Sequence, residues 1–166
     1  WGKQTYTDKN TARDNGILAF FTFGEGYHNF HHIFENDYRN GIRWFHFDPT
    51  KWLIRTCCYL NLAHSLRKTP EEKIAKAKAK MEYLNSQRAI ENKGHDELMT
   101  KLQHEYDLLI EQMTLYYEAK KSLIAQKSNQ ISEDVEHSAL VQRYKELKHN
   151  LALRKKEWDL CRAQFA

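Results

Sequence analysis

Eight positions from Leu140 to Phe165 recur at a 4-3-4-3 spacing, and all but Arg154 are apolar or aromatic: Leu140, Tyr144, Leu147, Leu151, Arg154, Trp158, Cys161 and Phe165. That rhythm winds one stripe along an α-helix, and the helix must bury the stripe against another element. A companion stripe runs through Leu98, Leu102, Tyr106, Leu109, Met113, Tyr116 and, after one skipped position, Leu123. Two such stripes predict helices packed side by side, as an antiparallel bundle or a coiled coil. Breaks are expected near Asn92 to Gly94 and from Ser128 to Ser132, with Glu133 and Asp134 suited to a helix's first turn. A third helix opens at Thr69-Pro70-Glu71-Glu72, which joins a capping box (Thr69, Glu72) to a proline at the first helical position. Ile74, Ala77, Met81 and Leu84 continue it.

Composition changes sharply where that helix begins. Residues 1–69 hold three of the four tryptophans, seven of the eight phenylalanines and every glycine but Gly94, whereas residues 70–166 are rich in Lys, Glu, Ala, Leu and Gln. A boundary is therefore drawn between 1–69 and 70–166. Within the first part, Thr11 and Asp14 fit a helix start, with Ile17, Leu18, Phe20 and Phe21 following and Gly24 closing the helix. Gly24 and Gly26 permit a tight path, Asn36 to Gly41 is a turn cluster, and Asp48-Pro49 opens a helix expected to run from Trp52 to Leu66. That helix suits either a membrane surface or packing into a larger domain.

The 166 residues carry a net charge of +4, of which +3 belongs to residues 1–69. This modest excess suits anionic headgroups or a phosphate-bearing substrate. It is too scattered for nucleic acid, which calls for a basic face with stacking aromatics. Cys57 and Cys58 are adjacent and Cys161 is left over, so thiols in a reducing compartment are expected rather than disulfides. No run of 18 apolar residues occurs; the longest apolar piece is Gly16 to Phe23.

His28-Asn29-Phe30-His31-His32 places three imidazoles within five positions. Offsets of three and four bring His28, His31 and His32 close to one face of a helix, and neutral imidazole is the commonest protein metal ligand. Spacing alone leaves two readings open, a metal site or a coincidental polar cluster. His46 and His64 lie outside the group and read as structural; His95, His104, His137 and His149 are dispersed and read as solvated.

The flanks decide between the readings. Gly24-Glu25-Gly26-Tyr27 precedes the cluster, and Ile33-Phe34-Glu35-Asn36-Asp37-Tyr38-Arg39 follows it. GEGYHNFHH followed by DYRNG resembles the third histidine box of membrane-bound acyl-CoA desaturases, the stearoyl-CoA Δ9 family. Trp1-Gly2 with the polar stretch Lys3 to Asn15 resembles the segment leaving that family's last membrane span. Arg43-Trp44 and Phe47 to Ile54 resemble the part after its third box, in its bacterial form. The resemblance covers Trp1 to about Pro70. In the family a ligand histidine lies just upstream of the matching Trp-Gly, so a C-terminal fragment is expected.

The resemblance implies an all-α chain: the C-terminal cytosolic part of a helical membrane desaturase, followed by an amphipathic helical hairpin or coiled-coil-like tail. It further implies two iron ions that activate O2 and remove hydrogen from adjacent methylenes of an acyl-CoA, leaving a cis double bond. His28, His31 and His32 match the ligands of the third box, and the remaining ligands would come from upstream boxes, so this fragment alone is expected to be inactive. Glu25, Asn29 and Asp37 are candidates for fixing imidazole tautomers or for ordinary turn capping. Tyr27 and Phe30 are placed to exclude water. Expected partners are acyl-CoA, O2, an electron donor such as cytochrome b5 or ferredoxin, and the membrane through missing spans; nucleic acid is not expected. The expected location is a bacterial inner membrane, with this segment on the cytosolic face. A membrane diiron hydroxylase and a non-enzymatic helical interaction module are the alternatives. Residues 70–166 fall outside the resemblance and could oligomerise the enzyme, recruit a donor or cap the cytosolic face.

Overall fold

The computed structural model describes residues 1–92, 96–129 and 134–165. Among them the regular structure is entirely helical: α1 (Gly16–Phe21), α2 (His28–Ile33), α3 (Pro49–Tyr59), α4 (Glu71–Glu91), α5 (Asp96–Asn129) and α6 (Asp134–Ala163). Lys3 with Asp14 and Asp14 with Tyr27 form isolated antiparallel bridges. No helix among the described residues is long and apolar enough to cross a membrane. The chain divides into two compact units, Trp1–Glu82 and Tyr83–Ala166.

The second unit is built by the heptad stripes. Leu102, Leu109, Met113 and Ala119 of α5 are buried, as are Leu151, Trp158 and Cys161 of α6 and Phe165 just beyond it. Tyr116 stacks on Tyr144 with ring centroids 5.5 Å apart, and Tyr106 meets Trp158 at 6.1 Å. Residues early in α5 meet residues late in α6, so the pair is an antiparallel hairpin. Arg154, the charged member of the stripe, has a reason to be there. Its Nη1 lies 3.3 Å from Glu105 of α5 and 2.9 Å from Glu157. A half-exposed pair of this kind adds about 0–1 kcal/mol, so its effect is on register more than on stability. The breaks expected at Asn92 to Gly94 and Ser128 to Ser132 fall largely on 93–95 and 130–133, outside the described residues.

In the first unit three local expectations are revised. Asn15, not Thr11, caps α1, its Oδ1 accepting from the N–H groups of Ile17 (2.9 Å) and Leu18 (3.1 Å). Asp14 cannot join a Thr11 box because its carboxylate and its backbone are both engaged elsewhere. Helix α3 ends at Tyr59, so Leu62 and Leu66 lie beyond it. Asn61 adopts φ +58°, its N–H bonds Cys58 O, and Leu62 N–H bonds Cys57 O. This is a Schellman stop, with asparagine in the left-handed place that glycine usually takes. The reciprocal half of the Thr69 capping box is absent: Thr69 N–H donates to Asp37 Oδ2 at 2.8 Å, while Glu72 pairs with Lys76 at 2.6 Å. Asp48-Pro49 opens α3 as expected, and Asp48 caps it by accepting from Lys51 N–H at 2.9 Å.

Leu109 is 1 % exposed at the centre of the hairpin. Leu109→Ala is expected to cost about 2–5 kcal/mol, the usual range for a buried leucine, read as a lower urea midpoint of the full chain. A loss below about 1 kcal/mol would show that α5 does not bury this stripe.

Candidate metal centre

The histidine box lies on α2, a six-residue helix with no side-chain cap of its own, because Tyr27 occupies the cap position. Its cap comes from far along the chain. Asp14 Oδ1 accepts from the N–H groups of Asn29 (2.8 Å) and Phe30 (3.1 Å), the donors that the first turn leaves free. The Lys3–Asp14–Tyr27 bridges and the bond from Asn15 N–H to Gly26 O (2.8 Å) hold the segments together. Burial raises the Asp14 carboxyl above its ordinary range, against the pull of the Phe30 and Asn29 N–H groups, the Thr5 hydroxyl and His28.

Gly24 and Gly26 do what their positions in the sequence suggest. Gly24 takes φ +105°, and a Cβ on Gly26 would lie 2.2 Å from the Ala19 backbone nitrogen. Only glycine allows α1 and the approach to α2 to come so close.

Within α2 the three histidines separate into a pair and a single residue. His28 Nε2 and His32 Nε2 lie 2.9 Å apart, with their rings edge to face at 4.3 Å. Both side chains are exposed. His31 stands aside, its ring centroid 6.0 Å from that of His32, with a buried Nδ1 that has no hydrogen-bond partner. No group of three His, Cys, Asp or Glu among the described residues is gathered closely enough to hold a metal. The donor pair itself fits an ion. Two nitrogens about 2.1 Å from one metal and near a right angle to each other lie about 3 Å apart.

The three polar neighbours turn out to brace the backbone. Asn29 is fully buried; its Oδ1 accepts from Tyr6 N–H (2.8 Å) and Thr7 N–H (3.3 Å), and its Nδ2 donates to the carbonyls of Thr7 (2.7 Å) and Ala12 (2.9 Å). Asp37 binds Arg39 through two contacts, at 2.9 and 2.8 Å, and accepts from the N–H groups of Arg39 and Thr69. Glu25 accepts from Asn40 Nδ2 at 3.1 Å. These bonds run to backbone or loop groups and not to an imidazole. Phe30 is buried behind the box, with Tyr6 edge-on at 5.4 Å. Tyr27 stacks on His46 at 4.4 Å and 9°, so His46 packs against the loop and stays out of the box. His64, His104 and His149 are exposed and His137 is half-buried, while His95 lies outside the described residues.

Sequence reasoning missed Asp14 as the cap of α2, and it missed Lys51. Lys51 is 4 % exposed, and its Nζ donates to the carbonyls of Gly41 (2.8 Å), Arg43 (3.0 Å) and His46 (3.4 Å). Desolvation pulls its pKa down. Neither role has a local signal, because the partners are many residues away.

Comparison with known proteins bears on this segment. The chain is 45 % identical over 95 residues to acyl-CoA desaturase 1 of Saccharomyces cerevisiae, covering 56 % of this chain and 19 % of that protein. It is 48 % identical over 75 residues to a probable acyl-CoA desaturase of Schizosaccharomyces pombe, covering 45 % and 16 %. It is 36 % identical over 80 residues to icosanoyl-CoA 5-desaturase of Limnanthes douglasii, covering 48 % and 22 %. The chain thus spans about a fifth of the length of these relatives. The 95-residue match is longer than residues 1–69, so it enters the helical extension that the sequence reading left outside the resemblance. The relatives come from yeasts and plants, so the expected bacterial inner membrane has no support. No family model and no solved structure matches the chain.

Asp14→Ala is expected to destabilise the first unit by about 1–2 kcal/mol, the cost of losing a helix cap, with amide exchange accelerating at Asn29 and Phe30. Asp37 gives a test by pH. Burial works against its ionisation, but the Arg39 side chain and the N–H groups of Thr69 and Arg39 outweigh it and hold its carboxyl below the usual range. Its contribution is therefore complete above the unfolded carboxylate pKa and is lost as pH falls through the depressed folded value. The urea midpoints of wild type and Asp37→Asn should differ at neutral pH and converge from about pH 5 downward. A constant gap would contradict the assignment. Over the aligned stretch, this chain is similar to the acyl-CoA desaturases of yeasts and plants.

Proposed function

We propose that residues 1–69 are the C-terminal, third-histidine-box part of an acyl-CoA desaturase and that residues 70–166 are its helical extension. The parent protein would introduce a cis double bond into a fatty acyl chain, using O2 and electrons from an external donor such as cytochrome b5 or ferredoxin. The observation that carries this reading is the pair of imidazole nitrogens 2.9 Å apart within GEGYHNFHH. In this reading His28 and His32 would share one iron, and His31, turned aside, would be left for a second. Ligands from elsewhere in the parent would complete both ions. Iron supplies the oxygen activation that removal of hydrogen from an unactivated methylene requires, which no acid or base side chain can provide.

The part played by this chain is positional. Asp14 fixes the first turn of α2, Asn29 anchors that helix to the N-terminal loop, and Phe30 backs it with apolar bulk. Neutral imidazoles suit the role because they bind metal without adding charge. The apolar side of α1 supports a larger parent. Ile17, Phe20, Phe21 and Phe23 are all more than half exposed, a surface of the kind that marks a protein or membrane contact. We place the parent in a membrane with this segment on the cytosolic face. A Δ9 double bond is the position that the box favours, while two of the relatives are named as 5-desaturases.

The purified full-length parent should contain iron and form a double bond in an acyl-CoA with O2 and reductant. His28→Ala and His32→Ala should each lower bound iron and cut turnover by about two orders of magnitude or more, with helix content unchanged. An iron-free parent, or hydroxylated rather than desaturated product, would overturn the reading.

A further inference from the structure

The last turn of α3 carries two adjacent cysteines, Cys57 and Cys58, both free thiols and both half-buried. Helical geometry holds through the pair. Cys57 O accepts from Leu62 N–H at 2.8 Å and Cys58 O from Asn61 N–H at 3.2 Å, the bonds that close the helix. Neighbours on a helix point about 100° apart around its axis. The two sulfurs therefore diverge, and they can neither bridge each other nor share a metal ion.

Their surroundings are apolar and face outward. Leu53 lies one turn before Cys57 and Leu60 one turn after it, and both leucines are more than half exposed. Tyr59 and Leu62, beside the pair in sequence, are 87 % and 75 % exposed. Cys161, the third thiol, is 4 % exposed. The charge of this stretch has one sign. Residues 49–70 contain Lys51, Arg55, Arg67 and Lys68 and no carboxylate. Lys51 is spent on backbone carbonyls, whereas Arg55, Arg67 and Lys68 are exposed.

A reachable sulfur nucleophile in an apolar strip, within a cationic stretch, suits a reagent with an alkyl chain, an electrophilic carbonyl and an anionic head. We propose that Cys57 and Cys58 are S-acylation sites whose acyl donor is a long-chain acyl-CoA. The cysteine sulfur attacks the carbonyl carbon of the thioester, and a new S–C bond forms. The bond from that carbon to the CoA sulfur breaks. CoA leaves as its thiolate and takes up the proton that the cysteine gave up, so nothing is oxidised or reduced. The strip of Leu53 and Leu60 receives the alkyl chain, and the cations attract the phosphates. One attached acyl chain holds a protein to a lipid surface only weakly, and two hold it firmly. Paired thiols thus anchor the end of α3 where a single one would not. The exchange involves no metal and does not rest on the desaturase reading, so either can fail without the other.

The test starts from the 166-residue chain and palmitoyl-CoA. Intact-mass analysis should show two added acyl groups, both removed by neutral hydroxylamine as thioesters are. Cys57→Ser and Cys58→Ser should each accept one group and Cys57→Ser/Cys58→Ser none, while Cys161→Ser should still accept two. Leu53→Gln/Leu60→Gln should slow acylation of Cys57 by about tenfold or more. Its reaction with a small water-soluble maleimide should stay at the wild-type rate, with Cys161 still protected. The doubly acylated chain should bind phosphatidylcholine vesicles about tenfold or more tightly than Cys57→Ser/Cys58→Ser treated alike. The parent purified from a yeast host should carry hydroxylamine-labile acyl groups at the same two residues. An unacylated wild-type chain, full acylation of Cys57→Ser/Cys58→Ser, an unchanged rate in the leucine variant or equal vesicle binding would each overturn the proposal. So would a native parent in which Cys57 and Cys58 neither react with maleimide nor carry a thioester.

Discussion

Buried polar side chains, each satisfied by several backbone groups, hold the first unit in shape. Asn29, Asp37, Asp48 and Lys51 are almost wholly removed from water, and together they fix the N-terminal loop, the turn after α2, the loop of residues 40–46 and the start of α4. Asp48 alone accepts from the N–H groups of Asn40, Gly41 and Lys51. A buried polar atom left unpaired costs about 1–3 kcal/mol, so each of these residues admits few backbone arrangements. That constraint substitutes for a large apolar core, since most of the bulky apolar residues of α1 and α3 face outward.

The outward apolar face and the inward polar framework have one common explanation. In the proposed parent this segment is one corner of a larger membrane-associated enzyme, and it leaves its apolar side for the rest of that enzyme to cover. It must then rely on hydrogen bonds to set its own loops. The histidine pair profits from this arrangement. Its helix is too short to hold itself together, and the Asp14 carboxylate and the Asn29 amide give it a fixed place on the surface.

The second unit follows a different logic. Its stripes bury leucine, methionine and aromatic side chains between α5 and α6, and the Glu105–Arg154 pair answers the charged position in the heptad rhythm. Here each element was legible from periodicity, because a helical hairpin is built from contacts that repeat every turn. The same method overran α3. Apolar spacing continued to Leu66, but Asn61 turned the chain at a left-handed position that periodicity cannot register.

What the sequence determined by itself was helix content, the stripes of α5 and α6, the start of α3 at Asp48-Pro49, the need for glycine at 24 and 26, and a histidine box with informative flanks. All of these depend on residues a few positions apart. Tertiary structure decided the rest: that Asp14 caps α2, that Asn29 and Asp37 brace backbone rather than imidazole, and that His28 pairs with His32 while His31 stands aside. The physical reason is the same in each case. A carboxylate or amide can bond any backbone group brought within about 3 Å, and which group arrives there is settled by the fold and not by the neighbouring residues.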